Sequence, residues 1–252
     1  MRNGPPASIC DAAVAMNEET RGERLGRRLR TIPAVVLGFL LVTALLPLLL
    51  VAMTAYDAVR ALRGRGRFSA VRLLLFGWVY LVVEMAGISA MAWFWLISGF
   101  GRARGLYVSL TYRLQGWWAA TLFGAMRGLF GVGLEVDGDE AITPGPIILM
   151  MRHASLVDTL LPTVLVLRKH RIRLRYVLKR ELLWDPALDM AGNVIPNYFV
   201  DRASTDAAAE VDRVRSLGVG LGGEDGVLIY PEGTRFTPEK RERIIEILRH
   251  RF

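Results

Sequence analysis

"EVDGDEAITPGPIILMMRHASLVDTLLP", residues 135–162, is where the chain changes character. Turn signals at Asp137–Gly138 and Pro144–Gly145–Pro146 bracket the approach to a short apolar run that reads as a buried strand. A histidine follows the run, and a helix is expected near 156–169. The same alternation then repeats. A strand is expected near 173–178, a helical piece near 180–190 and a strand near 197–200. A helix follows near 205–217, then the strand "GVLIY" at 226–230 and a basic helix near 238–250. In the helix near 205–217, Ala207, Val211, Val214 and Leu217 fall along one face. Asp206 and Glu210 come early and Arg213 and Arg215 late, the order that a helix dipole favours. Strands alternating with helices define an α/β fold, a mostly parallel sheet flanked by helices.

The half of the chain before this passage is of a different kind. Thr31 to Tyr56 is 26 residues without a charge, and Leu73 to Gly101 is 29 residues carrying only Glu84. About 20 mostly apolar residues suffice to span a bilayer, so both runs read as membrane segments. A cleaved signal peptide fits poorly, because about 30 residues precede the first run and no small-residue cleavage site stands out. Pro47 is expected to kink the first segment or turn it into a re-entrant hairpin. Glu84, costly in hydrocarbon, is expected to face the other helix. The organisation expected is a polar tail at 1–30, a membrane region at 31–101, and a soluble domain at 102–252. "LQGWWAATLFGAMRGLFGVG" at 114–133 reads equally as an interfacial helix lying along the bilayer or as a core helix of that domain.

The net charge of +8 is carried almost wholly by arginine, and much of it lies beside the apolar runs. That placement points to anionic headgroups rather than nucleic acid. Eight arginines flank the two segments on their outer sides and five lie between them, which favours a cytoplasmic location for both ends. Cys10, the sole cysteine, forms no disulfide within the chain, and no Cys/His cluster implies zinc.

Three stretches have the residue types that chemistry needs. His153 and Asp158 can form a base whose imidazole is oriented by a carboxylate, provided that the histidine sits in the loop and the aspartate in the first helical turn. The same residues also read as a capping box, with Ser155 as N-cap and Asp158 at N3. "IYPEGTRFT" at 229–237 projects from the C-terminal end of a strand, where open α/β sheets place ligands. There the amides of Gly233 and Thr234 can face an anion, and Arg235 can grip phosphate. Arg202, closing "NYFVDR" at 197–202, can reach the same rim. The glycine-rich "LGVGLGGEDG" at 217–226 follows a helix and opens a strand, the reverse of a nucleotide loop, and reads as a helix stop and turn.

Taken in order, His153-x-Ser155-x-x-Asp158, Phe199-Val-Asp-Arg202 and Pro231-Glu-Gly-Thr-Arg235 closely resemble the motif blocks of the glycerolipid acyltransferase family. Its best-known members are the 1-acylglycerol-3-phosphate acyltransferases. "KRELLWDPALDMAG" at 179–192 is similar to the segment before the family's arginine block, and the resemblance covers roughly 115–250. It implies transfer of a fatty acyl group from acyl-CoA or acyl-carrier protein to a lysophospholipid acceptor at a membrane. His153 and Asp158 would be catalytic, and Arg202, Glu232, Gly233, Thr234 and Arg235 would bind substrate. Membrane lipids are the implied partners, with no nucleic acid, no cofactor and no metal. Two departures stand out. "IPNYFVDR" lacks the glycine usual before the arginine, and no apolar, proline-containing fourth block follows the third, so the domain is expected either to be C-terminally truncated or to lack that wall of its pocket. The alternative that this leaves is a non-catalytic, membrane-anchored lipid-binding or scaffold protein on the same fold; the intact histidine and aspartate count against it.

Overall fold

The computed structural model describes residues 19–64, 69–142, 145–152, 155, 157–201, 207–231 and 238–251. Two long helices come first, α1 (Arg21–Leu62) and α2 (Ser69–Ile97), packed against each other. Both are long and apolar enough to cross a membrane. No residue of α1's most apolar window is buried within the chain, and Leu37, Leu48 and Val51 are each about two-thirds exposed. Helix α1 runs unbroken through Pro33 and Pro47, so the expected re-entrant turn does not form. It also reaches back to Arg21, ten residues ahead of the charge-free run. There Thr20 and Glu23 form a reciprocal capping box. At its far end the buried Asp57 accepts hydrogen bonds from the amides of Ala70 and Val71 and so caps α2.

Helix α3 (Arg104–Phe130) joins this pair to the rest. Its buried face carries Thr111, Tyr112, Gly116, Ala119, Leu122 and Phe123, while Trp117 on the other side is 45% exposed. Ala119, Leu122 and Phe123 pack with Val83 of α2 and with Leu160, beyond the first motif. The core-helix reading thus holds for one face of α3.

Four parallel strands form the sheet: β1 (Ile147–Met150), β2 (Arg173–Lys179), β3 (Tyr198–Val200) and β4 (Asp225–Ile229), in the order β1-β4-β2-β3. One face packs Leu174, Tyr176 and Leu228 with Val166 of a π-helical segment, Pro162–Lys169. The other packs Tyr198 and Val227 against Val214 of α5 (Ala207–Ser216) and against Leu217 beyond it. Between β2 and β3 lie a 3-10 turn, Arg180–Trp184, and the short α4 (Pro186–Gly192); α6 (Pro238–Arg251) follows β4. At the centre of the sheet a Cβ on Gly226 would come within 2.7 Å of the Ile147 side chain and 3.0 Å of its carbonyl oxygen, so only glycine allows β1 to pair so closely with β4.

Three expectations change in detail. Strand β1 is buried on one side only: Ile147 and Leu149 enter the core, whereas Ile148 and Met150 are about two-thirds exposed. It is an edge strand, and no described element covers its outer face. In α5, Val211 is half-exposed and Glu210 turns inward instead, because the Tyr198 hydroxyl donates to its carboxylate at 2.7 Å. The helix expected near 156–169 is split into a 3-10 turn (Val157–Thr159) and the π-helical segment. Pro162 explains the split. It has no N–H to return to the carbonyl of Asp158, so a continuous α-helix loses its bond at that step.

Candidate functional site

In a parallel sheet every strand ends on the same edge, and the three motifs all follow strand ends. Strands β1 and β4 are neighbours in register, Met150 opposite Ile229, and the Met151 amide extends the ladder by donating to Ile229 O at 3.1 Å. The first and third motifs therefore leave the sheet side by side. Strand β3 ends at Val200, two strand positions from β4. At about 4.8 Å per strand spacing, its exit lies on the order of 10 Å away.

Of the residues singled out from the sequence, Asp158 lies among those described. His153, Arg202, Glu232, Gly233, Thr234 and Arg235 lie outside the described residues. Asp158 sits in the 3-10 turn that follows β1. Its Oδ2 accepts from the Ser155 amide at 2.6 Å, and its Oδ1 accepts from the Ser155 hydroxyl at 3.1 Å. The carboxylate is thus anchored on the Ser155 side as one half of a capping box. Chain and carboxylate are set by the same two residues.

Tyr230, at the start of the third motif, was not singled out as a site residue. Its hydroxyl donates to the Asp158 carbonyl oxygen at 3.3 Å, the acceptor that Pro162 leaves without its helical donor. The ring packs with the core cluster of Tyr176 and Leu228. Burial, reinforced by the Asp158 charge, pushes the phenol up to about 12, so it remains a neutral donor at physiological pH. The hydroxyl therefore ties the turn after β1 to the end of β4.

Two further features lie at the strand ends. Arg180 and Asp201, at the ends of β2 and β3, form an ion pair at 2.7 Å, about half and one-third exposed respectively. At the opposite edge of the sheet, before β4 begins, the buried Arg175 guanidinium donates to the carbonyl oxygens of Leu217, Val219 and Gly220 at 2.8, 2.8 and 3.1 Å. Three carbonyls of the glycine-rich loop thus face a cation. A phosphate-binding loop presents amides, the opposite polarity, so the loop is the helix stop and turn expected.

Glu84 does not face α1. It is buried against α3, where Trp118 Nε1 donates to its Oε1 at 3.1 Å, with Asp185 of the soluble region beside it. Tyr80, one turn earlier, donates to Asp185 Oδ2 at 2.5 Å. The structural role expected for Glu84 stands, with a different partner. Three elements meet at this point, and Glu84 packs α2 onto the other two.

Residues 133–247, just under half of the chain, match the family model described as Acyltransferase. The matched region contains all four strands and all three motifs, and the match supports an acyltransferase. No solved structure matches the chain significantly.

Proposed function

We propose that the chain is a membrane-anchored O-acyltransferase that moves a fatty acyl group from acyl-CoA or acyl-carrier protein to the hydroxyl of a lysophospholipid. The acceptor we propose is lysophosphatidate and the product phosphatidate. The observation that carries the reading is the pairing of β1 with β4, which sends the His153-x4-Asp158 and Pro231–Arg235 motifs off one sheet edge within a region matching the acyltransferase family.

In this reading residues 102–252 form the catalytic domain, on the cytoplasmic face, and α1 and α2 anchor it. His153 takes the proton of the acceptor hydroxyl as that oxygen attacks the thioester carbonyl, and Asp158 orients the imidazole. Amides near Gly233 and Thr234 stabilise the oxyanion of the tetrahedral intermediate. The intermediate collapses to an ester and a thiolate, which recovers the proton from His153. Arg202, Glu232 and Arg235 hold the glycerol phosphate of the acceptor, using the bidentate fork of arginine. Both acceptor and product are amphiphiles, so a domain docked on the bilayer avoids drawing acyl chains through water.

The test is acyl transfer from labelled acyl-CoA to lysophosphatidate in membranes, comparing the wild-type chain with His153→Ala at matched expression. Activity that disappears in the variant supports both the reaction and its base. Equal activity in both removes His153 from the chemistry.

A further inference from the structure

The first turns of α1 and the Arg180–Trp184 turn flank an open cleft of about 560 Å³. Its walls include Arg27, Arg30, Arg180 and Trp184 together with the carboxylates of Glu19 and Glu23. A Cβ at Gly22 or Gly26 would meet nothing within 4 Å, so the helix wall is open space rather than a packing contact.

The charges around the cleft do not cancel. Glu19 and Asp189 are shared by three guanidinium groups: Arg24 and Arg27 pair with Glu19, and Arg27 and Arg28 with Asp189 at 2.7 and 2.6 Å. The Glu23 carboxylate accepts from the amide and hydroxyl of Thr20, both at 2.8 Å, and keeps its charge towards Arg180, which also pairs with Asp201. Against these four carboxylates stand Arg24, Arg27, Arg28, Arg30 and Arg180, one charge in excess. Arg30 has no ion pair or hydrogen bond among the described residues. The Nε of Arg27 is buried without a hydrogen-bond partner among them. Donors and positive charge are therefore left over at the cleft.

Position identifies the ligand class. Arg30 immediately precedes the charge-free run, and at 1.5 Å per residue Gly22 lies only about 14 Å from Thr31. That places the cleft at the headgroup layer of a bilayer crossed by α1. Trp184, Leu25 and Leu29 are about 60% exposed or more around the same level, as suits an interface where a polar group meets acyl chains. We propose that this cleft is a binding site for the phosphate headgroup of an anionic phospholipid of the surrounding bilayer, held by Arg30 and Arg180 beside Trp184. The site lies on the α1 side of the sheet edge, and the proposal stands independently of the acyl-transfer reading.

The test uses the full chain in phosphatidylcholine nanodiscs with increasing phosphatidylglycerol, with retained lipid counted by native mass spectrometry. The wild-type chain keeps one phosphatidylglycerol in preference to phosphatidylcholine. The double variant Arg30→Gln, Arg180→Gln weakens that retention about thirtyfold, the ratio that two arginines near a membrane surface are worth. Gly26→Trp, which fills the cleft without changing its charge, displaces the lipid too. Neither variant removes an α1–α4 ion pair, and the Arg180–Asp201 pair lost in the double variant is exposed and contributes little to stability. Equal retention of the two lipids, or of phosphatidylglycerol by wild type and double variant, overturns the proposal. So does an equal loss in Arg113→Gln, an exposed arginine away from the cleft, which would mean diffuse surface charge only. Displacement by millimolar inorganic phosphate would make the ligand a free anion and overturn the lipid assignment.

Discussion

Asp158→Asn separates the two roles that one carboxylate can have at the end of β1. As a cap, Asp158 accepts from the Ser155 amide at 2.6 Å and the Ser155 hydroxyl at 3.1 Å. Asparagine keeps one carbonyl oxygen for the amide, and its NH₂ can donate to the hydroxyl, whose proton is free to turn. What is lost is the charge assistance of the amide bond, worth about 0.5–1.5 kcal/mol. For a domain of this size that is a fall in Tm of roughly 1–6 °C. As the group orienting a catalytic imidazole, the same residue is worth on the order of 10²–10⁴ in rate, about 3–5 kcal/mol of barrier. The two expectations differ enough for one pair of assays to decide. We expect initial rates of acyl transfer in membranes to fall at least a hundredfold, while unfolding of the detergent-solubilised variant moves by a few degrees. A rate within about threefold of wild type, with the same small stability loss, refutes the orienting role and leaves Asp158 as a cap.

Three other outcomes are expected. Arg235→Ala raises the apparent requirement for the acceptor in steady-state kinetics more than that for the acyl donor; equal effects on both remove its phosphate-gripping role. Arg175→Met strands the buried Leu217 carbonyl, whereas the exposed Val219 and Gly220 regain water; the expected cost is about 2–4 kcal/mol, read by thermal unfolding, and a loss below about 1 kcal/mol is the refuting result. The hydrogen bonds of Lys169, then of His170, hold the Asp139 carboxyl below its ordinary value, so this group's stabilisation is present above the unfolded carboxylate pKa and lost as pH falls through the lowered one. Asp139→Asn therefore flattens the acid limb of a Tm–pH curve, and an unchanged limb discounts the Asp139 contacts.

The strands were the legible part of the fold, because each is a short apolar or alternating run between turn residues. Arg173–Lys179 and Asp225–Ile229 each lie within a residue of the expected bounds. Partners were much less legible. Alternation puts Arg175 and Arg173 on one side of β2, yet Arg175 is buried and Arg173 half-exposed. The difference comes from a loop some 45 residues later whose carbonyls need a donor, and no local pattern carries that information. Glu84 was legible as buried but not its partner, since Trp118 belongs to a helix whose packing the sequence left open. The break at Pro162 was readable in principle, because proline cannot serve the Asp158 carbonyl. That Tyr230 serves it instead depended on knowing that β4 lies beside β1.

The segment "KRELLWDPALDMAG" acquires a physical role that its resemblance alone did not supply. Asp189, fully buried, accepts from Arg27 and Arg28 of α1, while Asp185 caps α4 through the Leu188 amide and accepts from Tyr80 of α2. Gly87 of α2 lies against Ala187, where an added Cβ would come within 3.1 Å of the alanine methyl. Both long helices are thus pinned to one stretch of about ten residues, part of the crossover that leads from the end of β2 to the start of β3. A buried carboxylate held by two guanidinium groups costs several kcal/mol to break from one side, so this seam resists separation more than a surface ion pair would. Anchoring just after the end of β2, rather than at the far edge of the sheet, fixes the rim relative to α1 and α2 by a short connection. In the proposed reading, with α1 and α2 crossing a bilayer, that distance decides whether a headgroup reaches the rim while its chain stays in the hydrocarbon. On that reading the seam is part of the working architecture together with the motifs proposed at the rim.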